Sequence, residues 1–361
     1  MISLSICMIV KNEEEILGRC LDCAKQIADE IIIVDTGSED KTKEIARNYT
    51  NKVYDFKWCF DFSKARNFSF SKATKEYIMW LDADDIILEE DIQKILKLKQ
   101  KLKSKEYQLV DMILLKYNMM AKAEDDVLLS YYRERIFKRS KNYQWISPIH
   151  EVIVPSGNYI FEDIAITHKK NKVGDQNRNL QIFENMIKNG VLLDARQKFY
   201  YARELFYHKQ YEKSLEVYQD FLQDKEAWKE NAISACIDMA KIYQILGNEN
   251  KRRESLFQSF VYDIPRAEVC CELGQYFLQN NQYQIAIYWY EEALTKKLDY
   301  QSGGFYLKDC YHFIPHIQLC VCYDKLKDYK KAMYYNELAN QDKPNNEFYK
   351  KNKEYFSKIL N

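Results

Sequence analysis

Tyr77-Ile78-Met79-Trp80-Leu81-Asp82-Ala83-Asp84-Asp85 delivers three carboxylates within four residues to the end of an apolar run. Side chains on a strand alternate with period two, so a buried strand ending in Asp-x-Asp sends Asp82 and Asp84 to the same side. Carboxylates that close repel one another unless a cation lies between them, and hard oxygen ligands of this kind suit Mg²⁺ or Mn²⁺. The same residues also fit a helix N-terminus, because acidic side chains favour a first turn and Glu89, Glu90 and Asp91 follow at once. A further carboxylate stands upstream. Asp35 closes the apolar run Glu30-Ile31-Ile32-Ile33-Val34 and precedes Thr36-Gly37-Ser38. Beside a glycine turn at the C-terminal end of a buried strand, it sits where open α/β sheets place ligand contacts.

The elements that must position these groups are legible around them. Residues 2–10 read as a strand ending at Lys11-Asn12-Glu13. Ile16, Leu17, Leu21, Ala24 and Ile27 have the spacing of a helix over residues 14–28. Ser38 is the expected N-cap of the next helix, with Lys41 and Thr42 in its first turns before Glu44-Ile45-Ala46. Residues 52–56 read as a strand, residues 63–73 as a helix and residues 77–81 as the strand that carries the acidic tip. A β-α-β-α order of this kind predicts an α/β, mostly parallel, doubly wound sheet with its polar tips on one edge.

Val10-Lys11-Asn12-Glu13, Ile33-Val34-Asp35-Thr36-Gly37-Ser38, Ala65-Arg66-Asn67 and Trp80-Leu81-Asp82-Ala83-Asp84-Asp85 together resemble, in order, the nucleotide-binding motifs of family-2 glycosyltransferases with the GT-A (Rossmann-like) fold. The resemblance covers roughly residues 1–170, and four motifs in sequence are far more specific than any one alone. It is closest to the branch in which tetratricopeptide repeats follow the catalytic domain, a branch that includes the S-glycosyltransferases of glycopeptide bacteriocins. The resemblance implies a nucleotide-sugar donor, UDP-linked, and a Mg²⁺ or Mn²⁺ cofactor. It implies that Asp84 binds the metal and that Asp82 bridges metal and ribose. Asp35, Asn12 and Glu13 would hold the nucleoside, Val10 and Ala83 would line the donor site, and Arg66 would meet the base or phosphates, where a planar bidentate donor is useful. One departure is visible: many relatives carry a second Asp where this chain has Thr36, which leaves Asp35 as the main nucleotide contact on that turn.

Residues 107–115, 130–137 and 151–154 read as further strands that complete the sheet on the acceptor side, and residues 164–168 as a short strand ending on His168. Trp145-Ile146-Ser147-Pro148-Ile149-His150-Glu151 sets a titratable pair after a proline turn. Each histidine could equally be a loop or capping residue. In enzymes of the resembled fold a carboxylate base follows the metal motif, and a later histidine contributes to the metal site. Glu151 and His168 match that order, and His150 competes for either role. Glu151 would then deprotonate the acceptor in a single displacement with inversion.

From Gly190 onward the chain is helical and repetitive. Leu273, Gly274, Phe277, Tyr283, Ala286, Tyr290 and Ala293 recur at tetratricopeptide spacing, and Tyr329, Ala332, Ala339 and Pro344 repeat the template. Ala202, Leu205, Tyr211 and Tyr218 mark a first unit, and Ala240, Tyr243 and Gly247 a second. Asp299-Tyr300-Gln301-Ser302-Gly303-Gly304 is an insertion, expected as an ordered loop or binding tip. The expected organisation is a GT-A domain over residues 1–170, a helical connection over 171–190 and an all-α repeat domain over 191–361. Repeats of this type present a concave surface suited to a peptide or protein acceptor. A glycan or lipid-linked acceptor, a non-catalytic repeat scaffold and a homo-oligomer stay open.

Composition narrows the classes. Lys+Arg and Asp+Glu both number 54, so no global basic field draws the chain to nucleic acid or anionic membrane. The lysine run from Lys94 to Lys105 reads as a solvated helix face, and no apolar run reaches the ~20 residues a bilayer needs. The first apolar segment lacks a basic leader and a small-residue cleavage site, so no signal peptide is expected. Cys20-x-x-Cys23 is the only CxxC among ten cysteines, which makes buried free thiols the expectation over a zinc site. A cytoplasmic, reducing location follows.

Overall fold

The computed structural model describes residues 1–120, 127–169, 177–299, 302–344 and 346–359. Its chain divides into two compact units, Met1–Leu192 and Leu193–Asn361. Tyr300 and Gln301 of the insertion, and residues 171–176 of the expected connection, lie outside the described residues.

Eight strands form one sheet in the first unit: β1 (Leu4–Val10), β2 (Glu30–Asp35), β3 (Val53–Asp55), β4 (Tyr77–Trp80), β5 (Asp85–Ile86), β6 (Met112–Met120), β7 (Val127–Lys138) and β8 (Tyr159–His168). The spatial order is β3-β2-β1-β4-β7-β6-β8-β5. β1 to β4 pair in parallel, β7 runs antiparallel to both β4 and β6, and β8 runs parallel to β6. The expected GT-A arrangement is present: a parallel half joined to an antiparallel one. Crossover helices α1 (Leu17–Ile27), α2 (Thr42–Arg47), α3 (Phe62–Ser71) and α4 (Glu89–Lys101) link the parallel strands and follow the acidic tip. α5 (Arg178–Lys188) ends the unit.

Both sheet faces are covered, which is why these strands read as continuous apolar runs rather than alternating ones. Ile6, Met8, Ile31, Ile33, Met79 and Leu81 enter one core with α1 and α4. Cys7, Ile32, Val34, Ile78 and Trp80 enter the other with Phe70 and Trp145.

Several expectations need correction. Ser38 does not cap α2, which begins at Thr42; the Thr42 amide donates to Asp40 Oδ1 instead. No strand forms over residues 151–154, where Val152 makes only an isolated bridge to Ile146. Ser147 and His150, with φ of +73° and +48°, bend residues 147–150 into the loop that this bridge closes, and Pro155 ends the segment without a backbone donor, so no further strand pairing follows. The lysine run is not wholly solvated. Lys99 is buried, and its ammonium donates to Ile27 O and Asp29 Oδ2, both at 2.7 Å.

The second unit is helical: α6 (Ala195–Tyr207), α7 (Tyr211–Gln223), α8 (Lys229–Ile245), α9 (Glu249–Gln258), α10 (Ala267–Gln279), α11 (Tyr283–Leu294), α12 (Phe313–Lys325), α13 (Tyr329–Asp342) and α14 (Glu347–Ile359). Consecutive helices pair as the tetratricopeptide spacing requires. Small residues Ala202, Ala240, Ala286, Ala332 and Ala339 are buried at the contacts. A Cβ on Gly274 would lie 2.7 Å from the Tyr290 ring, so only glycine lets α10 and α11 approach this closely. The turns repeat as well: Lys209, Gly247, Asn281 and Lys327 each adopt φ near +60 to +71° between paired helices.

Candidate active site

The acidic tip does not extend the strand. β4 ends at Trp80, and Asp82 to Asp85 form a turn closed by the Asp85 amide donating to Asp82 O at 3.0 Å. Strand alternation therefore stops before the carboxylates, and Asp82 and Asp84 acquire different partners.

Asp82 Oδ1 accepts from Arg66 Nη2 at 2.9 Å, and Arg66 Nε donates to Glu151 Oε1 at 2.6 Å. One buried guanidinium thus joins a carboxylate of the acidic tip to a carboxylate of the proline turn. Its plane is set by two indoles, with Cζ 4.8 Å from the Trp80 ring and 4.9 Å from Trp145. Burial opposes the charge on Arg66, but Asp82 and Glu151 outweigh it and raise the guanidinium pKa further. Burial acts against ionisation of Asp82 too, and Arg66 with Arg135 overcomes it, holding the carboxyl below its ordinary value. Asn67 completes the motif: its amide Nδ2 donates to Trp145 O at 2.9 Å and its Oδ1 accepts from Trp145 N at 2.8 Å. Arg66 and Asn67, adjacent on α3, therefore fix both ends of the segment that carries His150 and Glu151.

Asp84, Asp85 and His168 form the second cluster, with ligand-type atoms within 4.8 Å of one another. Backbone pairing of Asp85 with His168 between β5 and β8 brings them together. His168 Nδ1 lies 3.2 Å from Asp84 Oδ1 and 3.6 Å from Asp85 Oδ1. Burial disfavours the imidazolium, but the two carboxylates prevail and push its pKa up to about 10. Asp85 is fully buried; its Oδ2 accepts from Arg135 Nη1 and the Asp82 amide, both at 3.0 Å. Asp85 Oδ1 and His168 Nδ1 make no hydrogen bond among the described residues. A buried carboxylate oxygen and an imidazole nitrogen beside a second carboxylate fit a divalent cation once the ring has lost its proton, and an imidazole in the set suits Mn²⁺ better than Mg²⁺. The sequence reading named Asp84 and His168 but passed over Asp85. The sequence shows Asp85 only as a third acid in the tip; the pairing of β5 with β8 is what sets it beside His168.

Val10, Asn12, Glu13 and Asp35 lie at the β1 and β2 ends. Asp35 is buried, and its Oδ1 accepts from the amides of Gly37 and Ser38 at 2.9 Å. Its Oδ2 is buried with no hydrogen-bond partner among the described residues. Asn12 takes φ +55°, accepts from the Glu39 amide at 2.8 Å and donates its own amide to Ser38 Oγ. The Glu13 amide donates to Thr42 Oγ1 at 2.7 Å. Val10 O accepts from the Thr36 amide and hydroxyl at 3.0 and 3.1 Å, so Thr36 locks the two strand ends together. Ala83 is buried in the core below the tip. The His150 ring stacks on Phe183 of α5 at 6.2 Å.

Sequence reasoning missed Arg133 and Arg135 of β7. Arg135 lies 3.6 Å over Trp80, and Arg133 lies 4.9 Å from it and reaches Glu151 O at 3.4 Å. Nothing in their spacing distinguished them from solvated strand residues.

A mostly parallel sheet with acidic strand ends defines an α/β domain followed in the chain by helical repeats. Residues 5–165 match the family described as Glycosyl transferase family 2, and this segment is such a domain. A TPR repeat-containing protein of Synechococcus elongatus is 34% identical over 154 residues, 42% of this chain and 36% of that one. The SPbeta prophage-derived glycosyltransferase SunS of Bacillus subtilis is 36% identical over 97 residues, 26% of this chain and 23% of its own. The chain thus spans about a third or less of the length of these relatives. The crystal structure of S. aureus TarS 1-349 overlays with a TM-score of 0.36 at 14% identity, over 78% of this chain and 92% of that one, too distant to assign anything by itself.

Proposed function

We propose that this protein transfers a hexosyl group from a nucleotide diphosphate donor, UDP-linked, to a peptide or protein acceptor, with inversion. The observation that carries the reading is the continuous line from the Asp84, Asp85 and His168 cluster through Asp82 and Arg66 to Glu151. Asp35 Oδ2, a buried acceptor without a partner among the described residues, is suited to an N–H donor such as that of a uracil ring. Arg66 binds the donor side through Asp82 and orients Glu151, whose second carboxylate oxygen would take the acceptor proton. Asp84, Asp85 and His168 would hold a divalent cation, which when bound neutralises the departing diphosphate. His168 must lose its proton to serve there, so cation binding is coupled to proton release.

Two features favour a peptide or protein acceptor: the helical repeats, and the resemblance of the four motifs to the glycosyltransferase branch that acts on bacteriocin peptides. All ten cysteines are free thiols, in keeping with a reducing compartment, and no helix among the described residues is long and apolar enough to cross a membrane. Calorimetry with UDP tests the donor and cation together. UDP should bind tightly with Mn²⁺ and at least tenfold more weakly without it, and Asp84→Asn should abolish the gain while leaving the circular dichroism unchanged. Equal UDP affinity with and without Mn²⁺ in the parent protein would count against the reading.

A further inference from the structure

The loop between β3 and α3 reads Phe56-Lys57-Trp58-Cys59-Phe60-Asp61 and presents aromatic rings that the chemistry above leaves unused. Trp58 packs on Phe62 at 4.8 Å and on Phe60 at 6.3 Å, so the three rings form one ledge. Phe60 is 48% exposed and adopts φ +58°, a conformation that a bulky residue rarely takes without support from its neighbours. The following residues hold it there. Asp61 caps α3 by accepting from the Lys64 amide, and the Phe62 amide donates to Pro148 O at 2.8 Å. That carbonyl belongs to the turn that carries His150 and Glu151. Phe62 also lies four residues before Arg66 on α3, which makes the two neighbours on one helix face at about 5–6 Å between Cβ atoms. The Arg178 guanidinium covers the Phe62 ring at 4.8 Å.

A half-buried Trp58 beside an exposed Phe60 held at positive φ, on a loop tied to a guanidinium–carboxylate fork, suits a flat ligand with one apolar face and polar edges. A pyranose has an apolar C–H face that lies flat on an aromatic ring and a rim of hydroxyls that take planar bidentate partners. We propose that Trp58 and Phe60 form a stacking subsite for a pyranose ring, either the hexosyl group of the donor or a sugar of the acceptor. This assignment rests on the glycosyl-transfer reading for its place in the reaction, and on the ledge alone for its ligand.

The full chain would be tested in three arms, with Trp58→Ala, Trp58→Phe and the exposed-site variant Phe60→Ala beside the parent. In the first, calorimetry with Mn²⁺ compares UDP with UDP-glucose and UDP-N-acetylglucosamine. In the second, UDP release from those donors is followed with and without cellobiose or chitobiose. In the third, calorimetry follows direct titration with the same disaccharides, with no nucleotide present. The expected result is a loss of about five- to tenfold in Trp58→Ala and Phe60→Ala, largely restored in Trp58→Phe. Appearing in UDP-sugar affinity with UDP affinity unchanged, the loss assigns the ledge to the donor hexosyl. Confined to the disaccharide arms, it assigns the ledge to a sugar acceptor. Unchanged behaviour in all three arms, or UDP affinity falling as far as UDP-sugar affinity, overturns the proposal. A parent protein that binds no nucleotide but shows the disaccharide response lost in Trp58→Ala would overturn the donor reading and leave the subsite standing.

Discussion

Arg66 is the side chain on which the candidate site turns, because it holds Asp82 and Glu151 at once while both are largely buried. If Glu151 is the base, Glu151→Gln keeps the Arg66 contact through its amide oxygen but cannot take a proton. kcat for acceptor transfer should fall by about 10²-fold or more with donor KM nearly unchanged, read by steady-state kinetics. Survival of kcat would move the role to His150. A second residue-scale effect lies away from the chemistry. Glu30 is buried, which works against its charge, yet Lys52, Ser5 and Thr74 more than compensate and pull its pKa down to about 2. A folded pKa below the unfolded one stabilises fully above the ordinary glutamate range, and that stability is lost as pH falls toward about 2. Glu30→Gln should therefore cost on the order of 1–3 kcal/mol in urea melts at neutral pH, and the gap from the parent should shrink steadily below pH ~4.5.

At the scale of elements, the same device recurs in both units: a short-range rule sets the element, and a single side chain fixes its approach to a neighbour. Asn67 pairs with the backbone of Trp145 and so holds a turn against α3. Gly274 admits Tyr290 between α10 and α11. Gly274→Ala improves helix propensity by about 1 kcal/mol, but its methyl would meet a ring that is 1% exposed and cannot withdraw. Overpacking should win, with a net loss of roughly 1–3 kcal/mol and a lower Tm by calorimetry. A Tm at or above the parent's would show that the helices separate at no cost.

For the whole molecule, the division at Leu192 makes a direct test of which half does what. Every residue placed in the candidate site lies before it, as do both cores that flank the sheet. A protein ending at Leu192 should bind UDP with Mn²⁺ as the full chain does and release UDP slowly from a donor, while losing transfer to a peptide or protein acceptor by at least tenfold. Full transfer by the shortened protein would remove the repeats from acceptor binding. Lost donor binding in a folded fragment would mean that they complete the site.

What the sequence determined by itself was local and ordered along the chain. Apolar runs ending in Asp35 and Asp82, crossover helices between them and the tetratricopeptide spacing after Gly190 are all written in neighbouring residues, and the fold class follows from them. Tertiary structure alone decided the partners. Asp85 joins His168 through pairing of β5 with β8, and Arg66 reaches Glu151 across 85 positions of chain. Arg133 and Arg135 gather on Trp80 because β7 lies antiparallel beside β4. The proline turn was legible at Pro148, but the left-handed backbone of Ser147 and His150, and the loss of the strand expected over residues 151–154, were not. Periodicity reports which face of an element is apolar, whereas the pairing of charges depends on which elements become neighbours, and sheet order fixes that only once the chain has closed.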